Sequence, residues 1–233
     1  MYDSTPDEGT ITTSDGTVIG SAPWYQYREL ITRVDIERGI THIGNFAFEG
    51  LTNLTSNVDT KQKDANGQDS IVSANINIGS DVSSFGICAF KDCTEINKFV
   101  FAPQHTSIGG GIFAGCSQLT LNNVTVQGKY SKQDGMIVDT SSKSIIQYMA
   151  DRDGTNIITN YKIPDQYTKI EPYAFCKEQY IVELTLNKVI KIGEHAFEEM
   201  RFVNRIYCDA QSTTTDLTAL KNAGFDADKQ AVL

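Results

Sequence analysis

A twelve-residue frame recurs five times along the chain, and this repetition limits the possible folds more than any other feature. IGNFAFEGLTNL begins at Ile43, FGICAFKDCTEI at Phe85, IGGGIFAGCSQL at Ile108, IEPYAFCKEQYI at Ile170 and IGEHAFEEMRFV at Ile192. Slots one, five, six and twelve are apolar in every copy. Two of the four spacings are 23 and 22 residues, and the other two exceed that period by about 20 and about 40, so insertions interrupt a regular array. A unit this short buries its apolar edge only against its neighbours, which predicts a solenoid.

The stretches that lead into each copy are also alike: VDIERGITHIG, INIGSDVSSFG, FVFAPQHTSIG, YKIPDQYTKIE and LTLNKVIKIGE. Alternation of apolar and polar residues predicts a short strand in each, with Val34/Ile36, Ile76/Ile78, Phe99/Phe101, Tyr161/Ile163 and Leu184/Leu186 pointing inward. A sixth strand is expected at Ile206–Cys208. The Ala-Phe pair followed by polar residues predicts one helical or 3₁₀ turn per copy, too short to stand alone. Small Ala permits close approach and Phe fills the interior.

The remaining segments read as insertions and caps. Residues 57–70 are polar with an Asn-Gly turn signal and predict an exposed loop or hairpin tip. Residues 121–160 alternate apolar clusters, Met136/Val138, Ile145/Ile146 and Ile157/Ile158, with turn dipeptides, and predict a β-meander. At the C-terminus Asp216 is the expected N-cap of a helix carrying Leu217 and Leu220, with Gly224 as its stop. The expected organisation is one domain over 1–233: an N-terminal cap over 1–30 containing a hairpin and Trp24, repeats over 31–208, and a C-terminal cap over 209–233.

With 29 acidic and 20 basic side chains the net charge is −9, which excludes the dense basic surface that nucleic acid requires. No apolar run is long enough to span a bilayer. The polar start MYDSTPDEGT does not read as a secretory leader, which fits either a cytosolic chain or one whose leader has been removed. Five cysteines are too few and too spread for a disulfide framework, and none of the three histidines has a second His or Cys at metal-ligand spacing, so no metal or cofactor is expected.

Candidate chemical motifs yield to the repeat. Gly109–Gly111 lacks the following Lys-Ser/Thr or the GxGxxG context of a phosphate loop and lies in register with four other copies. Close approach of the 121–160 insertion is the expected reason for three glycines. Cys93 and Cys116 share slot nine of adjacent copies, which places them about 5 Å apart as buried ladder thiols, with a disulfide as the alternative. Asp151–Asn156 begins like a calcium loop but lacks the glycine at position six and the glutamate at position twelve, so a tight hairpin turn is expected. Glu198 and Glu199 read as a solvated pair. No GxSxG, HExxH or Ser/His/Asp arrangement is present, and no enzyme is expected.

The strand, the IGxxAFxxCxxL frame and the period of 22 to 23 residues resemble the BspA-like leucine-rich repeat family of bacterial surface and secreted proteins. The resemblance covers roughly residues 24–208. It departs at Glu171 and Pro172, at Ile112 in place of Ala, and in the cysteines of slot nine. It implies an α/β leucine-rich-repeat solenoid, a right-handed β/α superhelix with short parallel strands, short helical turns and a β-hairpin insertion. It also implies an extracellular or cell-surface protein that adheres to a protein or glycoprotein ligand of a host or matrix. A structural spacer, or a recognition module of a longer surface protein, is the alternative. Independently of the family, strand alternation turns Arg33, Asp35 and Glu37, Asn75 and Asn77, Lys98 and Val100, Glu183 and Thr185, and Arg205 and Tyr207 outward. From that face Arg33, Asp35, Lys98, Val100, Thr185, Arg205 and Tyr207 are the expected binding residues.

Overall fold

The computed structural model describes residues 11–12, 18–19, 22–63, 65–149, 157–208, 217–225 and 230–232. Strands β1 (Ile11–Thr12) and β2 (Val18–Ile19) pair antiparallel ahead of the array. The coils then contribute β3 (Val34–Asp35) and β4 (His42–Ile43); an arm made of β5 (Thr60–Lys63) and β6 (Asp69–Val72); β7 (Ile76–Asn77) and β8 (Ser84–Phe85); and β9 (Phe99–Val100), β10 (Ser107–Ile108) and β11 (Val124–Thr125). An antiparallel trio follows, β12 (Tyr130–Gln133), β13 (Met136–Asp139) and β14 (Ser144–Tyr148). The array resumes with β15 (Ile158–Lys162), β16 (Lys169–Ile170), β17 (Ile181–Thr185), β18 (Lys191–Ile192) and β19 (Arg205–Tyr207), and ends in helix α1 (Leu217–Asn222) and β20 (Gln230–Val232).

The result is a leucine-rich repeat β-solenoid of about five coils with few helices. Each coil carries two short strands, where the sequence pattern marked one. Slot one of the frame is itself in a strand, because Ile43, Phe85, Ile108, Ile170 and Ile192 each end a two-residue rung. These second strands stack in parallel as β4–β8–β10 and as β14–β16–β18. The first strands stack as β3–β7, β9–β11 and β15–β17–β19–β20. Of these, β19, the expected sixth strand, spans Arg205–Tyr207, one residue earlier than expected.

The expected helical turns are not helices. Slots four and eight hold positive φ in all five copies: Phe46 (53°), Cys88 (55°), Gly111 (62°), Tyr173 (58°) and His195 (57°) at slot four, and Gly50 (74°), Asp92 (59°), Gly115 (76°), Lys177 (63°) and Glu199 (57°) at slot eight. A left-handed residue at every fourth position interrupts helix propagation and turns the chain around a corner instead. Alternate N–H groups then point along the stack. Phe46, Phe48 and Gly50 donate to the carbonyls of Ile87, Ala89 and Lys91, and Cys88, Phe90 and Asp92 donate to those of Gly110, Ile112 and Ala114, at 2.8 to 3.1 Å. Left-handed geometry costs a non-glycine residue roughly 1–2 kcal/mol, and the inter-coil hydrogen bonds offset that cost.

Slot six builds the core. Phe48, Phe90 and Phe113 stack with ring centroids 5.3 and 6.0 Å apart, and Trp24 continues the column onto Phe48 at 6.1 Å, its indole N–H donating to the Ala47 carbonyl. A second column runs Tyr148, Phe175, Phe197 at 5.1 and 5.9 Å. Between the two columns the core divides. All residues of β13 and β14 are buried, and their side chains alternate. Ile137 and Ile146 join the first apolar cluster, and Met136, Val138, Ile145 and Tyr148 join the second. The β13–β14 pair therefore forms a septum across the interior.

The β14 rung also shortens the array locally. Ile145 aligns with Ile170, yet Tyr148 lies only three residues on, where Phe175 lies five residues on from Ile170. Gln147, fully buried, covers the deficit: its Oε1 accepts the Phe113 N–H, and its Nε2 donates to the Tyr148 and Ala174 carbonyls. Because this rung cuts the corner, the Ile170 turn falls directly on the Ile108 turn. A Cβ on Gly110 would strike the Pro172 carbonyl oxygen, and one on Gly111 would strike the Cβ of Tyr173. Gly110 and Gly111 thus accommodate Glu171–Tyr173, not the 121–160 insertion, while a Cβ on Gly109 would strike the backbone of Gly86 and Ile87 in the preceding coil.

Asp151–Asn156 and Asp216 lie outside the described residues. Gly224, at φ +83°, closes α1. No helix among the described residues is long and apolar enough to cross a membrane.

Candidate interaction surface

Among the described residues the chain at Ser56 links the β3–β7 and β9–β11 stacks while no strand pairing joins β11 to β15, so the outward residues of the first strands divide into two groups. One expected face is therefore two. On the first, Arg33 holds Asp35 through two hydrogen bonds of 2.7 and 2.9 Å, and Asn77 on the next rung donates to the same carboxylate. The Arg33 hydrogen bond, assisted by Asn77, lowers the Asp35 carboxyl below its ordinary range. Further along, Val100 is clamped by the Asn57 side chain, whose Oδ1 accepts its N–H and whose Nδ2 donates to its carbonyl. Ser56 and Lys98 form an isolated parallel bridge, so the chain entering the arm substitutes for a rung.

On the second face, β15, β17 and β19 lie in register, with Asn160 beside Glu183 and Glu183 beside Arg205. Thr185 Oγ1 donates to Asn160 Oδ1 at 3.1 Å, Arg205 donates to Glu183 and to the Tyr207 hydroxyl at 3.3 and 3.0 Å, and that hydroxyl donates to Glu183 at 3.3 Å. The structure thus joins Thr185, Arg205 and Tyr207 in one network, which sets them apart from Arg33, Asp35, Lys98 and Val100. Side chains held by partners on adjacent rungs lose little further entropy on binding.

The remaining chemistry-bearing groups are structural. All five cysteines are free. Cys93 and Cys116 donate to the Phe48 and Phe90 carbonyls of the preceding coil, both at 3.0 Å, a role the spacing alone could not reveal. Burial pushes the Cys88 and Cys93 thiols well up and Cys176 to about 12, the reverse of an activated nucleophile. His105 is buried between the rings of Phe85 and Phe101 and accepts the Ala102 N–H. Among the described residues no group of three or more His, Cys, Asp or Glu could hold a metal ion. Glu198 and Glu199 are not merely solvated, since they reach His195 at 3.0 Å and Lys177 at 3.8 Å.

The family model for the BspA type leucine rich repeat region matches in 6 copies over residues 17–136 and 143–224. No curated protein matches the chain. Among solved structures, the pneumococcal vaccine antigen PcpA aligns with a TM-score of 0.53 at 19% identity, covering 76% of this chain and 39% of that protein. A leucine-rich repeat protein of Eubacterium ventriosum aligns at 0.46 and 17% identity, covering 87% and 70%, and a leucine rich cell surface protein of Faecalibacterium prausnitzii at 0.39 and 18%, covering 84% and 52%. The chain spans about two fifths of the length of the pneumococcal antigen.

Proposed function

Because the chain belongs to the BspA-type leucine-rich repeat family, we propose that it is a non-enzymatic, secreted or cell-surface module that binds another protein or glycoprotein through its first-strand faces. The observation that carries this reading is the network of Asn160, Glu183, Thr185, Arg205 and Tyr207, in which exposed and half-exposed groups on three successive rungs are already held in place. A solvated face has no need of such order, and an extended recognition surface benefits from it. Adhesion to host or matrix proteins is the role that fits a surface protein built this way.

Immobilised chain incubated with extracellular-matrix and host-surface proteins tests the reading. Capture is expected, and Arg205→Ala with Tyr207→Ala is expected to weaken it about tenfold or more, as for an interface hot spot. Capture that both variants and Lys98→Ala leave unchanged removes the faces from the account. Finding no ligand favours a structural spacer, and turnover that survives repurification in a hydrolase and redox screen overturns the non-enzymatic reading.

A further inference from the structure

The arm formed by β5 and β6 leaves the first ladder at Asn57 and stands beside it. The two enclose a cleft of about 560 Å³, with Asp59, Thr60 and Lys61 on one wall and Asn97, Lys98 and Asn123 on the other. We infer that this cleft takes an extended acidic segment of a partner protein, which adds as a strand to the free edge of β5. The inference rests on the protein-binding reading above and names a partner chemistry for one part of the surface.

Two observations support it. First, among the described residues β5 pairs only with β6 in a sheet of two strands, and the edge facing away from β6 has no strand partner there. Two strands alone are marginally stable, and an open edge of N–H and C=O groups is a template for a third. Only residues from the β5 side of the arm line the cleft, which puts that edge at its wall. Second, the cleft is net positive, with two lysines against the single carboxylate of Asp59. Lys63 pairs with Asp69 at the arm's tip, Lys132 donates to the Leu121 and Val124 carbonyls, and Asp59 accepts the Ala74 N–H. The side-chain ammonium groups of Lys61 and Lys98, one on each wall, make no hydrogen bond or ion pair among the described residues, in a chain of net charge −9. Lysines on an open edge repel basic strands and discourage self-association, and they complement an acidic strand. β5 is four residues long, so it pairs with about four residues of the incoming segment.

The probe is a fluorescent capped hexapeptide, Asp-Val-Asp-Thr-Asp-Val, titrated against the full chain, with two controls: the same peptide with Lys for Asp, and the acidic peptide with alternate backbone nitrogens methylated. Saturable binding of the acidic peptide is expected, with increased exchange protection of the β5 amides. Lys61→Glu with Lys98→Glu is expected to weaken it at least about tenfold, with the thermal midpoint unchanged. Both control peptides are expected not to bind. Absence of binding, equal binding by the methylated peptide, or an unaffected double variant overturns the inference. If the peptide fails while matrix-protein capture still depends on Arg205 and Tyr207, the cleft is removed and the broader reading stands.

Discussion

At the scale of single residues, most of the positions that matter are those where the repeat is broken. Gly111 shares slot four with Phe46, Cys88, Tyr173 and His195, all left-handed, so glycine is not required there by conformation alone. It is required by Tyr173, whose Cβ occupies the space a side chain would need. Gly111→Ala is therefore expected to cost about 2–4 kcal/mol, combining left-handed strain with overpacking. Gly128→Ala, also left-handed but with nothing near its Cβ, is expected to cost only about 1–2 kcal/mol. Urea midpoints of the two variants decide this, and equal losses would mean that the contact with the Ile170 turn does not matter. The glycine run was visible in the sequence. The cause of Gly110 and Gly111 was not, because their partner lies about 60 residues away and meets them only where an intervening rung is shortened.

At the scale of elements, the first strand of each coil is legible because its alternation is local, while the two-residue strand ending at slot one and the turn after it are not. Ala-Phe followed by polar residues suits a helical turn taken alone. The left-handed corners at slots four and eight are stabilised by N–H groups bonding to the next coil, which no single-segment propensity contains. The β13–β14 pair is legible in the sequence as strands but not as a septum, since alternation on two buried faces looks like any apolar strand. Its two sides make a test. Ile137→Ala empties space in the first cluster and Val138→Ala in the second, with expected losses of about 2–5 and about 1–3 kcal/mol. Hydrogen exchange is expected to show Ile137→Ala loosening β8 and β9 before β17 and β19, and Val138→Ala the reverse. Uniform loosening in both variants would show that the septum transmits stability instead of dividing it.

At the scale of the whole molecule, an ion ladder links coils distant in sequence. Lys91 reaches Glu49 at 2.6 Å and Asp92 at 3.1 Å, and Lys177 reaches Asp92 at 2.7 Å, so one carboxylate joins the Phe85 coil to the Ile170 coil across the shortened rung. Lys91 is largely buried and its ammonium is held well above its ordinary pKa: burial opposes the charge, but Glu49 and Asp92 together outweigh burial. Asp92→Asn keeps a residue that tolerates left-handed geometry while removing the charge, and is expected to cost about 1–3 kcal/mol for a partly buried pair. A calorimetric midpoint unchanged at both low and high salt would show the ladder to be ornamental. From the chain alone one could read the solenoid class, the coil period, the inward aromatic column and the outward strand positions, because each follows from a pattern repeated within a few residues. The division of the outer face into two, the β5 edge beside Lys98, the reason for three glycines and the bridging role of Gln147 were decided by tertiary structure, because each depends on which coils meet across an interrupted register.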